Sequence, residues 1–349
     1  MTVGSGSLIS PLSYVALGRE TTLGTYSTCT AGLSFLSFGL TTKQENKVLE
    51  EIRRGRFYAQ KIKMGKVVDG DCEFYYRAGS DACNYFLQNA FGGSITSSTA
   101  TGETAGGLAF EHQYDIGAMD LTYGSICINA RRGQVTAGKV SQYIGVRVNE
   151  ITLSAEIDDA LKISTSLIAF NSSISTNDIE TALTSACDNV FSFVNGRLSI
   201  DGSVASLSSV NFWHIQNFEL SMANSLKADN DSRRIGSDTL NVLPVGINTS
   251  NLNFGLRFDT TTAYDAMLAG TEYSAELEFL GPTITGSAVR ESLKIVMPNI
   301  HINEASEPEI GGPDEILKTS VVANILDDCS SAGGYPIRAT VVNDTASYV

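Results

Sequence analysis

The chain carries its own pattern twice, and this limits its fold more than any other feature. Gly18-Arg19, preceded by Tyr14-Val15-Ala16-Leu17, recurs as Gly196-Arg197 behind Phe191-Ser192-Phe193-Val194. Phe38-Gly39-Leu40-Thr41 recurs as Phe218-Glu219-Leu220-Ser221, and Arg53-Arg54-Gly55 as Arg233-Arg234-Ile235-Gly236. Gly65, Phe74 and Leu87 match Gly246, Phe254 and Leu268, so all six landmarks are displaced by 178 to 181 residues. Further on the displacement shortens: Val146-Arg147-Val148-Asn149 resembles Val296-Met297-Pro298-Asn299, and Ala160-Leu161-Lys162 resembles Ile316-Leu317-Lys318. A tandem pair of one module accounts for both observations, with an insertion in the first copy. The Gly- and Thr-rich stretch from Ala90 to Gly138 is the place for it, read as a loop, because doubling a loop costs only about 0.6 kcal/mol in closure entropy. The division expected is a first module over 1–172, a connector over 173–190 and a second module over 191–349. Self-assembly, more than a catalytic pocket, becomes the leading question.

Alternation of apolar and polar residues makes the modules β-rich. Phe218, Leu220 and Met222 alternate with Asn217, Glu219 and Ser221, and Ile144, Val146 and Val148 with Gly145, Arg147 and Asn149. Such period-two runs suit antiparallel sheets with one buried face. Ile151 and Leu153 resume the pattern one residue out of phase, which a bulge or a turn after Val148 explains. Helical spacing is confined to Asp81–Ala90, capped by Ser80 or Asp81, to Thr262–Ala269, and to about Asp178–Val190 in the connector. With 349 residues, 42% hydrophobic, the chain is long enough for two cores.

Several functions are excluded or left without a seed. No apolar run reaches the length of a membrane-spanning helix, and the N-terminus lacks the pattern of a secretory signal. The six cysteines are scattered without CxxC spacing, which fits reduced thiols. The three histidines, His112, His214 and His301, form no metal-binding pattern. No GxSxG elbow is present. Asp158-Asp159, Glu307 and Glu309 fall in apparent loops and make poor paired carboxylates for an enzyme. Gly133–Lys139 fits GxxxxGK, but Val140 stands where a magnesium-binding Ser or Thr belongs, and strand-like residues follow where a helix is required. No catalytic residue, cofactor or metal is therefore assigned. A formal net charge of −14 disfavours gripping nucleic acid by its phosphates.

Two charged segments stand between an outgoing and a returning strand, each read as the tip of a long hairpin. The first runs from Lys43 to Lys63 and the second from Ala223 to Asp238. Each is either a solvated loop or a contact between subunits, since mixed charge with paired arginines suits docking on acidic neighbours. The contact residues are then Glu50, Glu51, Arg53, Arg54 and Arg56 on the first tip, and Asp229, Asp231, Arg233 and Arg234 on the second.

The opening Ser13-Tyr14-Val15-Ala16-Leu17-Gly18-Arg19-Glu20-Thr21-Thr22-Leu23-Gly24-Thr25 is similar to the start of the tail tube proteins of long-tailed bacteriophages. The hairpin with its Arg-Arg-Gly tip, then Gly70-Asp71-Cys72-Glu73-Phe74-Tyr75-Tyr76 and a short helix, follow that family's order. Asn195-Gly196-Arg197-Leu198-Ser199-Ile200 and Phe218-Glu219-Leu220-Ser221 repeat it. The resemblance implies a mainly β fold: two β-sandwich or open-barrel modules, each with a short helix and a long hairpin entering a barrel shared between subunits. It implies rings stacked into a tube in the virion tail, assembled in the host cytoplasm, through which viral DNA passes without specific binding. It also implies tape measure, tail terminator and distal tail proteins as partners, with no membrane partner. Single-module members form sixfold rings, so two modules per chain imply homotrimeric rings of pseudo-sixfold appearance, with the two charged tips contacting the next ring. A β-sandwich adhesin or surface or decoration protein is the alternative from composition alone.

Overall fold

The computed structural model describes residues 13–51, 57–58, 60–103, 106–116, 125–132, 140–176, 179, 183, 189–207, 213–258, 261–307, 317–327 and 334–348. The first half contributes β1 (Tyr14–Arg19), β2 (Ala31–Leu33), β3 (Ser37–Phe38), β4 (Thr41–Val48), β5 (Lys61–Tyr75), α1 (Asp81–Phe91) and β6 (Gly92–Thr99). After these come β7 (Phe110–Ile116), β8 (Ile126–Arg131), β9 (Val140–Glu156), β10 (Lys162–Ile168) and β11 (Asn171–Ser175). The second half supplies β12 (Gly196–Asp201), β13 (Ile215–Ala223), β14 (Thr249–Arg257), α2 (Thr262–Ala269), β15 (Glu272–Thr283), β16 (Arg290–Ala305), β17 (Lys318–Ile325) and β18 (Arg338–Asn343). Both helices fall where their apolar spacing places them, and each stops at a glycine in the left-handed region, Gly92 at φ 65° and Gly270 at φ 63°. The helix expected over 178–190 lies mostly outside the described residues.

All pairings between these strands are antiparallel. One sheet runs β2–β1–β8–β9–β11, using the first part of β9. The second part of β9 belongs to a longer run, β4–β5–β10–β9–β13–β14–β17–β16. Strand β3 sits on β5 beside β4. Beyond β16 lie β15 with β12, and β18 with β7 and β6.

A bulge lets β9 serve both sheets. Opposite β10, Ser166 faces Glu150 and Leu167 faces Val148, which leaves Asn149 as the extra residue. Val146 and Val148 are buried before it, and Ile151, Leu153 and Ala155 after it, so the bulge resets the phase and both parts keep an apolar face inward. Strand β16 does the same against β17. Val322 faces Glu304 and Ala323 faces Ile302, with Asn303 as the extra residue. The residue at the position of Asn149 is thus Asn303, within Ile300-His301-Ile302-Asn303-Glu304, and not the Asn299 that local similarity singles out.

The segment 90–138, expected to be a loop, carries β6, β7 and β8. Its β7 pairs with the C-terminal β18, and β8 lies between β1 and β9. β7 and β8 thereby cover edges of β18 and β9, and β6 pairs with β7. The core likewise departs from the expectation of two. Among the described residues the largest apolar cluster runs from Val15 to Val341. Phe191 joins its halves, with ring centroids 5.8 Å from Tyr76 and 6.1 Å from Phe279.

One tight backbone approach lies within the first part of β9. Gly145 has φ 64°, and its N–H donates to Glu20 Oε1 at 2.6 Å. A Cβ at this position would stand 2.6 Å from the Phe170 ring.

Candidate functional site

Strands β4 and β5 form a long hairpin paired from Thr41–Asp69 to Val48–Lys61. Every residue of β4 except Gln44 is exposed. Lysines at 43 and 47 and Glu45 are the kind of charged side chains that keep an open strand edge from pairing at random. Glu50 and Glu51 are exposed at the start of the tip, whereas Arg53, Arg54 and Arg56 lie outside the described residues. On the returning side Phe57 is 89% exposed and Tyr58 64%. With Val48, Ile62 and Met64 also exposed, the hairpin presents apolar surface among its charges, which a reading of the charge pattern alone misses.

The second charged segment is built differently. Strands β13 and β14 pair only as far as Ala223 and Thr249, so residues 224–248 form a folded-back loop instead of the expected long hairpin. Hydrogen bonds to the bulge hold its start: Asn224 N–H donates to the Asn149 carbonyl at 2.8 Å, and Leu226 N–H to Asn149 Oδ1 at 2.8 Å. Asp229 accepts from Asp231 N–H and opens a short 3₁₀ turn. Asp229, Asp231 and Arg234 are exposed, and Ile235 beside them is fully so.

Arg233 departs from the expected role, because its guanidinium is spent inside the chain. Nη1 donates to the Asp238 carbonyl at 3.1 Å and Nη2 to the Lys66 carbonyl at 2.9 Å. It lies where a Cβ on Gly65 would be, so that glycine makes room for it. Lys66 N–H donates to the Asp238 carbonyl at 2.7 Å, and Lys63 Nζ meets the Asp238 carboxylate at 2.5 Å. The hydrogen bond from Lys63 lowers the Asp238 pKa. Loop 224–248 is thereby strapped to the base of the β4–β5 hairpin.

Two strand edges at opposite ends of the long run have no strand partner among the described residues: the outer edge of β4 and the outer edge of β16 from Ile302 to Ala305. At the latter, Ala305 N–H points at Met267 Sδ, 3.2 Å away. A thioether is a weak acceptor, so this backbone donor is poorly satisfied.

Reactive groups are placed structurally. Among the described residues no three His, Cys, Asp or Glu side chains gather as a metal site. His112 is buried on β7 between Ser97, Asn343 and Thr345, and burial lowers its pKa. Residues 133–139 lie outside the described set, but Val140 opens a strand, not the helix a phosphate loop needs. Cys29 and Cys127 are free and buried with sulfurs 3.0 Å apart. Among the described residues no helix is long and apolar enough to cross a membrane.

The described residues thus form a β protein with a projecting hairpin and two sheet edges open to further strands. The family model for the phage tail tube protein matches residues 11–325, and the chain belongs to that family. No curated protein matches it. The family is structural and is not an enzyme class. Its members are components of the virion tail and self-assemble into a tube with other tail proteins.

Proposed function

We propose that three copies of this chain close one ring of the tail tube, that rings stack, and that the viral genome passes through the lumen into the host. The observation that carries the trimer is the double run of strands. β4–β5–β10–β9 and β13–β14–β17–β16 have the same order, the same antiparallel sense and a bulged asparagine at the same place in the last member. Each run is read as one copy of a duplicated module, so a ring of six modules needs three chains. The net charge of −14 supports passage without gripping, because phosphates are held by clustered lysines and arginines. Glu50, Glu51, Arg53, Arg54 and Arg56, with Asp229, Asp231 and Arg234, are proposed as contacts to the next ring. Tape measure, tail terminator and distal tail proteins are the proposed partners at the lumen and the ends, and assembly is proposed to occur in the host cytoplasm. Native mass measurement of isolated rings, or their symmetry by electron microscopy, tests the stoichiometry. Three chains are expected and six would overturn it. Arg53→Glu with Arg54→Glu is expected to leave the monomer folded and to stop polymerisation, and normal tubes from that variant would remove the ring-to-ring role.

A further inference from the structure

The seam between the two runs inside the chain has a counterpart between chains. This rests on the ring proposed above. We propose that the outer edge of β16 at Glu304–Ser306 pairs antiparallel with Thr41–Lys43 of the neighbouring copy, in the register that β9 and β13 use within one chain. Glu304 then faces Lys43, Ala305 faces Thr42 and Ser306 faces Thr41.

The register follows from walking across the run from the bulge. Asn149 and Asn303 occupy the same position, so Ser166 of β10 corresponds to Val322 of β17, each just before its bulge. Ser166 faces Asp71 of β5, and Val322 faces Asn253 of β14. One residue along, Cys72 faces Phe38, and Phe254 faces Phe218. The walk therefore ends by equating Phe38 with Phe218, the match that the amino-acid sequence makes on its own. Thr41, Thr42 and Lys43 correspond to Ser221, Met222 and Ala223. Within the chain these last three face Thr152, Ile151 and Glu150 of β9. Glu304, Ala305 and Ser306 are the β16 residues at those three positions.

Two further observations fit this partner. The bond from Asn224 N–H to the Asn149 carbonyl sets the alternation along the inner seam, so that Ile151 N–H points at β13. Its equivalent, Ala305 N–H, points away from β17, since Ser306 N–H donates to the Ser320 carbonyl on that side. It finds only the Met267 sulfur, and the Thr42 carbonyl of a neighbour would supply a proper acceptor. Charge is also complementary, because an exposed glutamate meets an exposed lysine where the inner seam has Glu150 and Ala223. One edge of each copy joins the other edge of the next, the head-to-tail arrangement that generates rings when its rotation closes.

The double variant Lys43→Cys/Glu304→Cys tests the register. Oxidised rings are expected to give a covalent species of three chains on non-reducing gels, with none from either single variant. Glu150→Cys/Ala223→Cys serves as a control that crosslinks within one chain and leaves the mass unchanged. Rings visible by electron microscopy that yield only monomer from the double variant, while the control crosslinks, would overturn the seam and leave the ring intact. Wild-type protein that never forms rings or tubes overturns both. Should the cysteine pair block assembly, charge exchange decides. Lys43→Glu or Glu304→Lys alone is expected to lower the fraction of chains in rings at least about tenfold. The two together are expected to restore it, and a failure to restore overturns the pairing.

Discussion

Replacing Phe191 by alanine tests whether the chain is one cooperative unit. The ring is fully buried and touches Tyr76 on one side and Phe279 on the other, the second of which also packs against Phe218 at 5.8 Å. Truncating a buried phenylalanine costs about 3–5 kcal/mol, from lost transfer energy and the cavity left behind. Domain stabilities are about 5–15 kcal/mol, so this removes a large share. At a urea dependence of about 3 kcal/mol per molar, the midpoint falls by roughly 1–1.7 M. Because the ring belongs to both halves, the expected curve remains a single transition that moves as a whole. Urea denaturation followed by tryptophan fluorescence and circular dichroism reads both, since Trp213 lies in the second half, 5.8 Å from Phe254, while dichroism reports all strands. Two transitions of which only one moves, or a loss below about 1 kcal/mol, would refute a shared core.

Further perturbations probe the remaining contacts. Arg233→Ala removes two charge-assisted bonds to carbonyls and is expected to cost about 2–3 kcal/mol after allowance for its partial exposure, with faster hydrogen exchange in loop 224–248 as the measured sign. Gly145→Ala forces a left-handed residue against Phe170 and is expected to cost more than about 1–2 kcal/mol, measured by thermal denaturation. His112 has a folded-state pKa below its ordinary value of 6.5, so the unfolded chain takes up its proton first as pH falls. Its contribution is complete above about pH 6.5 and is lost as pH drops through the folded-state pKa. Denaturation midpoints measured across that range should decline in the wild type and less so in His112→Gln, and equal slopes would remove His112 as the cause.

Local pattern was enough to read some features and not others. Period-two alternation over 144–153 located β9, and the slip after Val148 marked a bulge or a turn, because a change of phase is written in consecutive residues; the pairing with β10 makes it a bulge. The spacing of Tyr264, Met267 and Leu268 likewise marked α2, although the side chains it buries are Ala263 and Ala266 and Leu268 is exposed. Long-range partners left no such trace. Arg53-Arg54 and Arg233-Arg234 look alike in sequence, yet Arg233 is held by carbonyls from Lys66 and Asp238 that only folding brings together. Loop 224–248 resembles a hairpin tip because its flanking strands do pair, while hydrogen bonds to Asn149 that stop the ladder are remote in sequence. Asn299 resembles Asn149 by its neighbours, and only pairing with β17 identifies Asn303 as the bulged residue.

The pairing of β9 with β13 has a kinetic meaning. Two strands tethered in one polypeptide meet at an effective concentration fixed by the connecting chain, not by how much protein the cell has made. That joint survives any dilution, whereas a joint between separate molecules forms at a rate set by their encounter. If rings alternate these two kinds of joint, half of each ring is closed before any collision takes place. The critical concentration for assembly then reflects three encounters instead of six.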